Sequence, residues 1–239
     1  MNRYLIAWMF LFLSLVVFAS CRTAQAQDAL TIDQLLDNME KVRMTVKSFT
    51  ADVTKLRDVD VLNDKEFYKG AIQFKAPRLL RMTLKSQETA KENVFVVGPK
   101  YGWIYRPQDK QAERVELPDL KDVKRKSGNP LEYGLARDVH GLKEGYALKL
   151  LPTEKVGDVA AAPIEMIPMK NNVNAAGKVV LWVSLQTWLP VQVREWKGND
   201  EIIETHTFTN MQINVTLEDA LFDFQPPKDV DVILHEGAK

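Results

Sequence analysis

Three histidines, one cysteine and an even count of acids and bases are the raw material for chemistry in this chain. His140, His206 and His235 stand far apart, and none has a cysteine or acid beside it at the spacing of a metal-ligand set. His206 lies between Thr205 and Thr207 in a strand-like run, which reads as a surface or hydrogen-bonded histidine. Acid pairs such as Asp219 and Asp223 mean little in a chain with 32 acidic residues. The sequence holds no phosphate-binding GxxxxGK[ST] loop and no GxGxxG, GxSxG or HExxH motif. The expectation is a protein that is not an enzyme and uses no metal or cofactor. Chemistry is left to Cys21. Phe18-Ala19-Ser20-Cys21 has the form of a site where a bacterial cysteine is acylated and becomes the mature N-terminus.

Cys21 follows a positive end at Arg3 and an apolar run, Tyr4 to Ala19, too short to span a bilayer comfortably and long enough for an export signal. A second cleavage reading competes. Ala24-Gln25-Ala26 is a small-x-small site that would release a soluble protein beginning at Gln27. Residues 1–26 are then a signal peptide and 27–239 one domain; otherwise 1–20 is the signal and Cys21 the lipid anchor. Either way the mature domain has no disulfide and rests on buried apolar area. Without residues 1–26 it carries 30 basic against 32 acidic residues. That balance argues against nucleic acid as a partner. The basic run KDVKRK at 121–126 reads as a solvated face.

The elements that could build a site are mostly strands. Thr31 and Gln34 make a capping box, and Ile32, Leu35, Leu36, Met39, Val42 and Val46 form one helical stripe behind it. From Phe49 the period changes to two. Short alternating runs follow, separated by turn residues, with Ile72 and Phe74 on one and Leu80, Met82 and Leu84 on the next. Tyr101, Trp103 and Tyr105 then put three rings on one side of a strand, with Ile104 on the other. Near residue 130 the period is helical again, through Leu131, Leu135 and Val139. Asn129-Pro130 with Glu132 marks its start and Gly141 its stop. Val179 to Leu185 is apolar on both faces, the mark of a central or covered strand. Two prolines, Pro226 and Pro227, should end ladder pairing after Phe224. The plan is mainly β, in the α+β class. About ten antiparallel strands form an unclosed barrel or strongly curled sheet, with an N-terminal helix and inserted lid helices.

Four stretches resemble the periplasmic carriers of outer-membrane lipoproteins, the LolA family. They are WIYRPQDKQA, through Trp103, Tyr105, Pro107, Gln111 and Ala112; YKGAIQFKAPRLLRM, through Gly70, Phe74, Lys75 and Pro77; TWLPVQV, through Leu189 and Pro190; and FDFQPPKDVDVI, through Phe222, Phe224, Pro226, Pro227 and Val230. They occur in the family's order and cover nearly the whole mature chain. The resemblance implies an unclosed β-barrel with a helical lid. It also implies a monomer that takes acylated lipoproteins from an inner-membrane releasing transporter to an outer-membrane receptor. Ile72, Phe74, Leu80, Met82, Leu84, Tyr101, Trp103 and Tyr105 are then candidates to line the lipid cavity, with the rings alternatively in closed core or on the outer face. Leu131, Leu135 and Val139 would form the lid's underside. The family's lid-latching arginine is Ala76 here, which makes Arg78 and Arg81 the candidate latch. The same scaffold also suits a membrane-anchored lipoprotein receptor or lipid sensor, or a carrier of another envelope lipid.

Overall fold

The computed structural model describes residues 30–59, 62–117, 139–170, 177–197 and 201–235. The described residues from Thr31 onward belong to one compact unit. Residues 1–26, the expected export signal with Cys21, the basic run 121–126, and the insert residues Leu131 and Leu135 lie outside the described residues.

The capping box is formed. Gln34 N donates to Thr31 Oγ1 at 3.2 Å and Thr31 N donates to Gln34 Oε1 at 2.9 Å. It starts helix α1, Ile32–Thr45, whose Leu35, Leu36 and Met39 are buried. The cap is worth about 1 kcal/mol, against about 1.5–3 kcal/mol for each buried side chain. Tertiary packing therefore outweighs the cap in holding α1.

The strands are β1 (Ser48–Val59), β2 (Asp64–Lys75), β3 (Leu79–Ser86), β4 (Glu92–Val97), β5 (Tyr101–Arg106), β6 (Gln111–Glu116), β7 (Tyr146–Leu150), β8 (Glu154–Val156), β9 (Val159–Pro168), β10 (Val179–Ser184), β11 (Pro190–Lys197), β12 (Ile202–Ile213) and β13 (Asp231–His235). They make one sheet in the order β13-β6-β5-β4-β3-β2-β1-β12-β11-β10-β9-β7, with β8 paired to β9. Its two end strands do not pair with each other, so the sheet is unclosed. β6 and β11 stand seven places apart in that order. A flat sheet would separate them by roughly 34 Å, at about 4.8 Å per strand. Side chains of both nevertheless line a single cavity of about 620 Å³, so the sheet is strongly curled. Gly70 permits one close approach: a Cβ there would lie 1.7 Å from Thr83 O on β3.

The sheet's two faces carry separate cores. On the inner face Phe49 stacks on Phe74, with ring centroids 5.3 Å apart, and Ile72, Ile164, Leu181 and Val193 are buried in the same register. On the outer face Ala161, Val180 and Trp182 cluster with Val156, Val191 and Trp196. All six residues of β10 are buried, as expected of a strand that is apolar on both sides.

Three expectations about elements are corrected. Among the described residues the sheet has thirteen strands, not about ten. The prolines at 226 and 227 do not end pairing, because the chain resumes as β13, which pairs with β6 in parallel. Gly141 does not stop a helix. It sits in the right-handed helical region at φ −64° and leads into a short helix α2, Leu142–Gly145.

Candidate functional site

The cavity lies on the inner face and has two unlike walls. One is apolar: Leu80, Met82 and Leu84 of β3, Phe95 and Val97 of β4, and Ile104 of β5. Register puts them together. Leu80 pairs with Val97, Met82 with Phe95, and Phe95 with Ile104, so these residues share one face. Val115 and Leu117 extend this wall. The volume falls within the roughly 300–1,000 Å³ of small-molecule sites.

The other wall is charged. Lys55 of β1, Glu195 and Lys197 of β11, and Glu204 and His206 of β12 face the same space. Glu204 bridges the lysines: Lys55 Nζ is 2.9 Å from its Oε1 and Lys197 Nζ 2.6 Å from its Oε2. Lys197 Nζ also lies 3.4 Å from Oε2 of the wholly buried Glu195. Burial by itself would raise the Glu204 carboxyl. The Lys55 charge and the Lys197 hydrogen bond outweigh it and bring the pKa down to about 2. Burial, reinforced by the Lys55 charge, pushes His206 down to about 3, so it is neutral. His206 is 4% exposed, and its Nδ1 has no hydrogen-bond partner among the described residues. It is therefore not a surface histidine, one of the two environments its sequence allowed. At the β13 end Glu113 accepts from Arg106 at 2.6 Å and lies 2.9 Å from His235 Nε2. The Arg106 hydrogen bond, more than His235, holds the Glu113 carboxyl below its usual range.

The sequence candidates divide into groups. Leu80, Met82 and Leu84 line the cavity. Ile72 and Phe74 lie on the same face but in the closed core, at 0% and 3% exposure. Tyr101, Trp103 and Tyr105 do not share a face with Leu80 and Met82, since it is Ile104 that pairs with Phe95. The rings pack under the C-terminal segment instead, with Phe224 5.3 Å from Trp103 and 5.2 Å from Tyr105. Trp103 borders the cavity as well as an outer groove whose walls include Tyr101, Arg114, Phe222 and Phe224. Arg114 lies over the Tyr101 ring at 4.4 Å. Val139 is buried, and its N donates to Glu40 Oε2 of α1 at 3.4 Å. His140 with Asp37 at 3.2 Å, and Lys143 with Asp33, fasten the same turn to α1. Arg78 donates to Pro99 O, and Arg81 donates to Leu221 O at 3.2 Å. Arg81 thus ties β3 to the C-terminal segment.

Nothing in the sequence singled out Phe95, Val97 or Ile104 as lining residues, or the five residues of the charged wall. Their alternation was legible; the strand register that gathers them was not. Among the described residues no group of three or more His, Cys, Asp or Glu could hold a metal ion. Among them no helix is long and apolar enough to cross a membrane.

No protein-family model matches the chain, and no curated protein does. Solved structures match. An uncharacterized conserved protein from Thermus thermophilus is 14% identical with a TM-score of 0.54, over 85% of this chain and 98% of that one. A LolA superfamily protein from Nitrosomonas europaea is 14% identical with a TM-score of 0.42, over 82% and 99%. A putative outer membrane lipoprotein-sorting protein domain from Vibrio parahaemolyticus is 13% identical with a TM-score of 0.40, over 79% and 95%. At such identities the likeness is one of fold.

Proposed function

We propose that the protein is a periplasmic carrier that shields the acyl chains of lipoproteins between the inner and outer membranes. The observation that carries this reading is the 620 Å³ cavity with one wall of Leu80, Met82, Leu84, Phe95, Val97 and Ile104. Each methylene moved from water onto such a wall contributes about 0.8 kcal/mol. Complete burial of several chains would hold cargo too tightly to release. A cavity apolar on one side and charged on the other limits that grip. The turn at Val139–Gly141, where the expected lid segment ends, is fastened to α1. The partners are an inner-membrane transporter that releases lipoproteins and an outer-membrane receptor.

The test is mass spectrometry of whatever co-purifies with the exported protein, followed by transfer of a triacylated lipoprotein between vesicles. Bound lipoprotein and accelerated transfer are expected. A ligand-free protein that neither binds nor transfers acylated cargo refutes the reading. A second reading, a membrane-anchored receptor or lipid sensor on the same scaffold, is favoured by Phe18-Ala19-Ser20-Cys21. The mass of the mature N-terminus decides between them: Gln27 for the diffusing carrier, acylated Cys21 for the anchored form.

A further inference from the structure

The charged wall of the cavity has no part in gripping a hydrocarbon chain, and taking ionic groups out of water is costly. Of the groups lining the cavity, Lys55, Lys197 and Arg114 contribute three formal positive charges and Glu113, Glu195 and Glu204 three negative, and His206 is neutral. The formal charges cancel. A ligand group with a net charge would arrive against this balanced set as an uncompensated charge. An uncharged group that takes and gives hydrogen bonds meets no such cost. It would find ammonium donors on Lys55 and Lys197 and a ring nitrogen, His206 Nδ1, that is buried and unpartnered among the described residues. The apolar wall lies across the same space, so a chain on β3–β5 and a polar head on β11–β12 fit one amphiphile.

We propose that Lys55, Lys197 and His206 receive the uncharged ester and hydroxyl groups of an acylated glycerol, and that the cavity discriminates against an ionised head on the same chain. This deepens the carrier reading and rests on it. The chemistry has two sources, the acylglycerol end of a lipoprotein and a free acylglycerol.

The exported full-length protein, delipidated, is titrated at pH 8 with three myristoyl probes: 1-monomyristoylglycerol, myristate, and a dimyristoylglyceryl-cysteine peptide. The glyceride is expected to bind about tenfold tighter than myristate. His206→Leu should reduce that ratio to about threefold or less by weakening the glyceride alone, and His206→Asn should retain most of it. If the peptide binds tightest and responds to His206→Leu, the source is the lipoprotein. If the glyceride binds tightest and responds, the source is free lipid. Both results support the proposal. Myristate binding as well as or better than the glyceride overturns it while leaving the carrier reading intact, and this comparison needs no variant. Binding of none of the three removes both.

Discussion

Ile104 and Trp103 are neighbours on β5, and the two sides of that strand have different fates. Ile104 faces a cavity with an apolar wall and open space beside it. Trp103 points to the other side, where it is overlain by Phe224 from the C-terminal segment and borders the outer groove. Both sides are stripes of large apolar residues. What separates them is whether the chain supplies its own cover. On the outside Gly98 lies so near Phe222 O that a Cβ would stand 2.7 Å from it, and Arg81 adds a hydrogen bond to Leu221 O. On the inside a charged wall stands across from the apolar one. An apolar stripe covered by its own chain contributes stability. One left facing a void is available to a ligand.

Substitutions can break that contrast from either side. Phe222 is 1% exposed, and Phe222→Ala is expected to cost about 3–5 kcal/mol through the cavity it leaves. Thermal unfolding reads this. Acyl-chain affinity, measured below the lowered midpoint, should stay within about twofold of the parent. The reverse holds at Met82, half-buried on the cavity wall. Met82→Gln should weaken binding of a myristoyl probe about tenfold by placing an amide on the apolar wall, while stability falls by only about 1 kcal/mol. A Met82→Gln protein that binds the probe normally would take the cavity out of lipid binding.

Acid probes the charged wall. His206 titrates near 6.5 when unfolded and at about 3 when folded. Above pH 6.5 neither state takes the proton and stability is complete. Below it the unfolded state gains a proton that the folded state refuses, so stability falls from pH 6.5 down to about 3. Glu204, at about 2 folded against 4.5, adds a loss that begins below pH 4.5 and continues to about 2. Denaturant midpoints across pH 3–8 measure both, and His206→Leu should remove only the part that begins near 6.5. A still smaller effect is expected from Arg81→Ala. It loses one hydrogen bond to Leu221 O, about 1 kcal/mol, and should leave ligand binding alone. A loss of binding instead would show that the outer cover and the inner cavity are coupled.

Local signals were the legible ones. Thr31 and Gln34 announced α1, because a capping box needs only residues three apart. Alternation announced the strands, because side-chain period is local. β13 was missed because Pro226 and Pro227 looked terminal, yet Val230 precedes a strand whose partner, β6, begins at Gln111. The cavity was half legible. Leu80, Met82 and Leu84 could be assigned to one stripe. Tyr101, Trp103 and Tyr105 could belong to the same lining or to the outer face, and the relation that decides passes through β4, where Met82 pairs with Phe95 and Phe95 with Ile104. A one-residue change of register exchanges the faces.

By itself the sequence determined that most of this chain would be strand, that a capped helix would lead it, and that each strand would have an apolar side to bury. These follow from backbone preference and side-chain period, which act over a few residues. Only the tertiary structure decided which apolar sides would close on each other and which would be left facing a void. It also decided that Lys55, Glu195, Lys197, Glu204 and His206, on three strands, would meet across from β3–β5. The curl of the sheet and the register of non-adjacent strands set those distances, and both depend on packing between residues far apart in the chain.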